Sequence, residues 1–218
     1  MNWLTGKMIS RLIKFFIDIV FAIIAAVFVA PILIIAAVIV HLFSPEAPVL
    51  FRQKRVGYKG KLFTIYKLRT MSDDRDKKGE LLPDEKRLKL WGKIIRTTNI
   101  DELTQIANIL LGQMSWIGPR PLLPHEMSVM TKEEQILRQS ILPGISGWEA
   151  VNEGKSTNRR EMAEFDLYYV RNWSLWFDIK IFFKTVLIIF LKLRPEDAIR
   201  APKVLAKEPV KPGKKDGV

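Results

Sequence analysis

IVFAIIAAVFVAPILIIAAVIV, residues 19–40, carries no charged side chain and has Pro31 near its middle. About 20 apolar residues suffice for a helix to cross the hydrocarbon core of a bilayer, and this run has that length. Its flanks add a condition. Lys7, Arg11 and Lys14 precede it and Arg52, Lys54, Arg55, Lys59 and Lys61 follow it, and basic residues tend to stay on the cytoplasmic side. Both ends therefore ask for the same side. A proline removes a backbone donor and crowds the preceding turn, so Ala30-Pro31 is a place where a membrane helix can turn back as a re-entrant hairpin. The run by itself equally allows a spanning helix with a tolerated proline kink. Trp3, Leu4, Met8, Leu12, Phe15 and Phe16 form one helical face leading into it. Asp18, at its edge, is expected to stay wet, because burying a carboxylate there is costly. The segment is long for a signal-peptide core and lacks a small-x-small cleavage site, so it is expected to remain attached.

The chain has 218 residues, enough for one domain with a real core beside the membrane segment. Lys and Arg number 35 against 23 Asp and Glu, a formal charge of +12 that favours an anionic partner: lipid headgroups, nucleotide phosphates or nucleic acid. The absence of cysteine excludes disulfides, thiolate metal sites and cysteine nucleophiles, and suits a domain facing the reducing cytoplasm.

Beyond the apolar run, Val49-Leu50-Phe51 and Leu62 to Tyr66 are β-rich pieces joined through Gly57 and Gly60, which predicts a hairpin. Asp73 to Glu85 is charged, contains Gly79 and Pro83 and lacks apolar periodicity, so it is expected to be an exposed loop. The pattern predicts helices at residues 85–96, 100–111, 124–129 and 131–140, turn chemistry at Pro143 to Gly147, and a helix over Arg159 to Arg171. Trp173 to Leu193, rich in aromatic and aliphatic residues with Asp178, Lys180, Lys184 and Lys192 interspersed, is expected to lie in the membrane interface. A core helix of the soluble domain fits the same stretch. The fold class expected is α+β and mostly helical, in three parts: a membrane segment over 1–44, a single cytoplasmic domain over 45–193, and a basic Pro- and Lys-rich tail over 194–218 that is too polar to fold alone.

The acid pair Asp101-Glu102 follows Thr97-Thr98-Asn99 and opens a helical run. Asn99 with Glu102 three residues on is a capping-box pattern, and acids are favoured in a first turn. The same place could hold a carboxylate that attacks phosphorus beside one that holds a metal. Downstream, Gly118-Pro119-Arg120-Pro121 restricts the backbone around an arginine suited to bidentate phosphate contact. Strand alternation puts Lys67 and Arg69 on one face. A basic membrane-surface scaffold or a nucleic-acid binder, with the acid pair as a helix cap, would account for the charge and the apolar helices alone.

In combination the motifs are specific. Arg55-Val56-Gly57, Tyr66-Lys67-Leu68-Arg69-Thr70-Met71, Ile100-Asp101-Glu102-Leu103-Thr104-Gln105, Met114 to Pro121, Pro143 to Trp148 and Asp166 to Asn172 together closely resemble the bacterial sugar transferase family, the monotopic phosphoglycosyl transferases. The resemblance runs from the membrane segment to about residue 193. It implies a re-entrant helix broken at Pro31, and an enzyme of the bacterial inner membrane whose domain faces the cytoplasm. The implied reaction moves a sugar-1-phosphate from a UDP-sugar to polyprenyl phosphate and releases UMP, the first membrane step towards a capsule, exopolysaccharide, O-antigen or glycoprotein glycan. It implies Mg²⁺, Asp101 as the nucleophile that forms an aspartyl phosphosugar, Glu102 as metal holder, and Arg120, Lys67, Arg69 and Lys155 as contacts to phosphate or nucleotide. The partners it implies are the UDP-sugar, polyprenyl phosphate and membrane lipid. Nucleic acid is not among them, and a homodimer is admitted because some members dimerise.

Three departures from the family pattern stand out. Thr104 occupies a position that is often proline, the loop Glu149 to Lys155 has an extra residue and lysine in place of arginine, and the Lys-rich tail is additional.

Overall fold

The computed structural model describes residues 3–152 and 158–192. A single helix, α1 (Trp3–Phe43), takes up the apolar run and the amphipathic stretch before it, and Pro31 lies inside the helix. At 1.5 Å per residue, a straight helix of this length would measure about 60 Å, twice the thickness of a hydrocarbon core. Among the described residues α1 is the one helix long and apolar enough to cross a membrane. Its buried positions Asp18, Ala22, Ala36 and Val40 recur on one helical face, while Phe28, Ile34 and Ile35 are exposed.

That face meets the rest of the chain twice. Ala22, Ala25, Ala26 and Val29 pack against Phe63, Ile65, Ile106, Ile109 and Met114. Further along, Val40 packs with Trp91 and Ile95. Small side chains on α1 allow the close approach, and each fully buried aliphatic partner is worth about 1.5–3 kcal/mol.

The predicted hairpin is present, with longer strands: β1 (Leu50–Val56) and β2 (Leu62–Leu68) pair antiparallel from Leu50 opposite Leu68 to Val56 opposite Leu62. Lys59 and Gly60 take positive φ at the turn, a conformation glycine adopts without cost. Phe63, Ile65 and Lys67 share the strand face that is turned to the core, so the apolar alternation ends on a lysine.

The helix predicted over 85–96 is two pieces, α2 (Asp84–Arg87) and α3 (Leu90–Thr97), separated where Leu88 leaves helical geometry. At Gly92 any Cβ would collide with the Thr70 carbonyl oxygen, so glycine is what lets α3 lie on the end of β2. Residues 100–111 form a 3-10 segment, Ile100–Gln105, followed by α4 (Ile106–Leu110). The 3-10 segment Pro124–Val129 and α5 (Lys132–Arg138) occupy the next two predicted helices, and Thr131 with Glu134 makes a complete capping box for α5.

Pro143 to Gly147 is not a turn but a strand. β4 (Gly144–Ser146) pairs parallel with β3 (Ser115–Ile117), and the two backbones run so close that side chains at Gly118, Gly144 or Gly147 would overlap the neighbouring chain. The predicted bounds of α6 (Arg159–Arg171) are the observed ones. Its N-cap, Asn158, accepts from the Glu161 amide.

α7 (Leu175–Lys192) closes the described chain. Asp178 and Ile181 are buried on its inner face, and Trp176, Phe183 and Leu187 are exposed on its outer face. Between α1 and α7 lies a polar network that corrects the expectation of a wet Asp18, which is 5% exposed. Lys14 sits between two carboxylates, 3.6 Å from Asp18 Oδ2 and 2.7 Å from Asp178 Oδ2. Asp178 also accepts from the Tyr169 hydroxyl at 2.6 Å and the Trp173 indole at 3.2 Å, and the Trp116 indole donates to the Asp18 carbonyl. Shared compensation by Lys14 is what makes burial of these acids tolerable.

Candidate active site

The acid pair sits where α3 gives way to the 3-10 segment, at Asn99, whose φ is +55°. A capping box would need the Glu102 carboxylate to accept from the Asn99 amide. That amide instead donates to the Arg96 carbonyl and closes α3. Glu102 is thus released from capping, and its Oε1 accepts from Lys67 Nζ at 2.6 Å. Asp101, beside it, is only 8% exposed and makes no ion pair among the described residues. Burial, and secondarily the Glu102 charge, push its carboxyl above the ordinary aspartate range; Lys67 and Arg96 oppose that rise.

Two side-chain bonds fasten this segment to β2. The Thr104 hydroxyl donates to the Tyr66 carbonyl at 2.6 Å, and Asn108 Nδ2 donates to the Thr64 carbonyl at 2.7 Å. Threonine at this position does what proline could not: it ties the acid pair to the strand that carries Lys67.

Arg120 is exposed, on the loop after β3, and its guanidinium makes no hydrogen bond or ion pair among the described residues. Arg55, near the end of β1, connects it to the acid pair, since its charge is felt by both Glu102 and Arg120. Burial of Arg55 and the like charge of Arg120 lower its pKa, and Glu126 and Glu102 counter them. Lys67 and Glu102 are in contact beside Asp101, and Arg55 lies within electrostatic range of both Glu102 and Arg120.

Arg69 points elsewhere. Its Nε donates to the Pro48 carbonyl at 2.8 Å and its Nη1 lies 3.8 Å from Asp73. Lys155 falls outside the described residues. Two arginines that the sequence reading assigned no role belong here. One is Arg55; the other is Arg96, whose Nε donates to the Thr70 hydroxyl at 2.9 Å and whose charge acts on Asp101. Their signal was adjacency, Arg55 at the end of a β-rich stretch and Arg96 just ahead of Thr97-Thr98-Asn99.

No three His, Asp or Glu side chains gather to hold a metal among the described residues. Two neighbouring carboxylates are nonetheless a hard-oxygen donor set of the kind Mg²⁺ uses, one or two carboxylates completed by substrate phosphates and water. Asp101 and Glu102 fit that requirement.

A family model described as bacterial sugar transferase matches residues 9–192. The chain belongs to this family. It is 39% identical over 187 residues to the UDP-glucose:undecaprenyl-phosphate glucose-1-phosphate transferase of Escherichia coli (strain K12), covering 82% of this chain and 40% of that one. A UDP-N-acetylgalactosamine-undecaprenyl-phosphate N-acetylgalactosaminephosphotransferase of Aeromonas hydrophila is 38% identical over 185 residues, with 82% and 44% covered. The uncharacterized sugar transferase EpsL of Bacillus subtilis (strain 168) is 48% identical over 140 residues, 64% of this chain and 69% of that one. This bacterial sugar transferase thus spans less than half the length of the Escherichia coli and Aeromonas proteins.

Proposed function

We propose that this chain transfers a sugar-1-phosphate from a UDP-sugar to polyprenyl phosphate, giving a polyprenyl-diphosphate sugar and UMP, on the cytoplasmic face of the bacterial inner membrane. The observation that carries the reading is a buried Asp101, without an ion pair among the described residues, next to a lysine-bound Glu102 that lies within electrostatic range of Arg55, which also feels Arg120. The names of the Escherichia coli and Aeromonas relatives describe transfers of this class.

An oxygen of the ionised Asp101 carboxylate attacks the sugar-bearing phosphorus, a P–O bond forms, and the bond to UMP breaks. A phosphate oxygen of the polyprenyl acceptor then attacks the same phosphorus and releases the Asp101 carboxylate unchanged. Lys67 holds Glu102 in place, and Arg120, exposed between prolines, meets the donor's phosphates. Mg²⁺ held by Glu102, with Asp101 beside it, would offset the phosphate charge.

A re-entrant, monotopic placement of α1 is part of the proposal. It is supported by where α1 touches the domain. Lys14 and residues 22–29 make contacts on one side of Pro31 and residues 39–40 on the other, and the roughly nine residues between would rise about 14 Å, too little to cross a core of about 30 Å.

The test is intact mass after incubation with a UDP-sugar and Mg²⁺ but no acceptor, across a panel of UDP-sugars. The expected result is a sugar-phosphate adduct that disappears when polyprenyl phosphate is added. Normal UMP release with no adduct overturns the covalent step, and no UMP release from any donor overturns the function.

A further inference from the structure

Pro119-Arg120-Pro121 has no amide donor at either proline and cannot build regular structure from its own hydrogen bonds. Its acceptors are nevertheless all taken. The Pro119 carbonyl accepts from the Gly144 amide at 2.9 Å, and the Leu122 carbonyl from the Val56 amide at 2.9 Å. Between them, the Arg120 carbonyl accepts from Arg138 Nη2 in a short contact, and the Pro121 carbonyl accepts from Arg55 Nη1 at 3.2 Å. Four consecutive carbonyls are held by four donors from three elements, β1, α5 and β4, while the Arg120 side chain stays exposed.

The two side-chain donors are themselves fixed. Arg138, on α5, is buried, and its Nε and Nη2 reach Asp166 Oδ2 of α6 at 3.0 and 2.6 Å. Arg55 donates through Nη2 to Gln53 Oε1 at 2.6 Å and has Glu126 Oε2 at 3.5 Å. Glu126 in turn accepts from the Leu123 amide and pairs with Arg159. Stability alone does not account for the Arg138–Asp166 pair: Asp166 Oδ1 is buried with no hydrogen-bond partner, and buried ion pairs are often replaceable by apolar residues without loss. Geometry does account for it, because only a guanidinium can bind the carboxylate through two nitrogens and still donate to a carbonyl.

We propose that Arg55 and Arg138 are positioning residues for the transfer reaction, gripping the Pro-Arg-Pro segment by its carbonyls so that Arg120 is held in one place for a substrate phosphate. This rests on the reading of Arg120 as a phosphate contact. The two arginines act through Arg120, so their removal matters only while Arg120 is present.

The full chain in lipid nanodiscs provides the test, with UMP release and hydrogen exchange of residues 118–123 as readouts. Variants are Arg55→Met, Arg138→Met combined with Asp166→Leu to avoid a lone buried acid, Arg120→Ala, and each clamp variant combined with Arg120→Ala. Loss of fixed placement should lower kcat by about 100-fold for each clamp variant, and add less than about twofold once Arg120 is gone. Exchange over 118–123 should speed up in Arg55→Met and stay at the wild-type rate in Arg120→Ala. Full additivity with Arg120→Ala, or wild-type kcat and exchange in Arg55→Met, overturns the clamp while leaving the enzymatic reading intact. Should the Arg138 variant fail to fold, Arg55→Met decides alone. A wild-type chain that releases no UMP from any UDP-sugar overturns the enzymatic reading and the proposal together.

Discussion

In the proposed mechanism Asp101 meets two demands that pull against each other. A carboxylate nucleophile must be ionised, and burial next to Glu102 resists ionisation. Because its folded pKa is raised, the folded state holds that proton more tightly than the unfolded chain, so this group's contribution to stability falls as pH rises from the ordinary aspartate value of 3.8 through the folded pKa. Asp101→Asn should therefore abolish UMP release and leave the melting temperature equal to wild type or higher at neutral pH, an advantage that vanishes below the ordinary value. Calorimetry across pH beside a UMP assay checks both halves. The acid limb of kcat/KM should lie above the ordinary aspartate value, and Lys67→Met should move it further up, since Lys67 lowers the Asp101 pKa. A limb that stays put in that variant removes Asp101 as its source. Thr104 offers a smaller test: Thr104→Val deletes the bond to the Tyr66 carbonyl, leaves a carbonyl unpaired, and should cost about 1 kcal/mol in denaturant unfolding along with a reduced kcat.

Elements that organise themselves locally were legible in the sequence, and elements that need a distant partner were not. The hairpin announced itself through Gly57 and Gly60, and α6 through its own periodicity. β3 and β4 are three residues each and too short to show alternation; they exist because Gly118, Gly144 and Gly147 let two backbones meet. The acid pair and Arg120 were recognisable from their motifs. The roles of Arg55 and Arg138 were not, because their carbonyl acceptors at Pro121 and Arg120 lie far along the chain. Asp18 was misread because the elements that bury it, with the Trp116 indole and Asp178 of α7, lie far along the chain even though its lysine is one turn away. Lys14→Met should strand the two acids Asp18 and Asp178 and cost about 3–5 kcal/mol. Adding Asp178→Asn should recover a large part of that, which thermal melts of the two variants would reveal; no recovery would mean that Lys14 works independently of α7.

For the molecule as a whole, α1 and the rest of the chain are in contact on both sides of Pro31. The lack of cysteine makes the topology simple to examine. Asn2→Cys and Pro45→Cys, made separately, should both react with an impermeant maleimide from the cytoplasmic side of sealed vesicles and from that side only. Labelling of the two positions from opposite sides would establish a spanning helix.

Lys14 and Asp178 come from opposite ends of the described chain, and this sets an order of events during synthesis. α1 is translated before α7, so Lys14 first has Asp18, one turn away, as its counter-charge. The second counter-charge, on α7, arrives only after the elements from β1 to α6 have been translated. α1 thus gains its own counter-charge early and is locked to α7 late, and a nascent chain halted before α7 would lack that second tie.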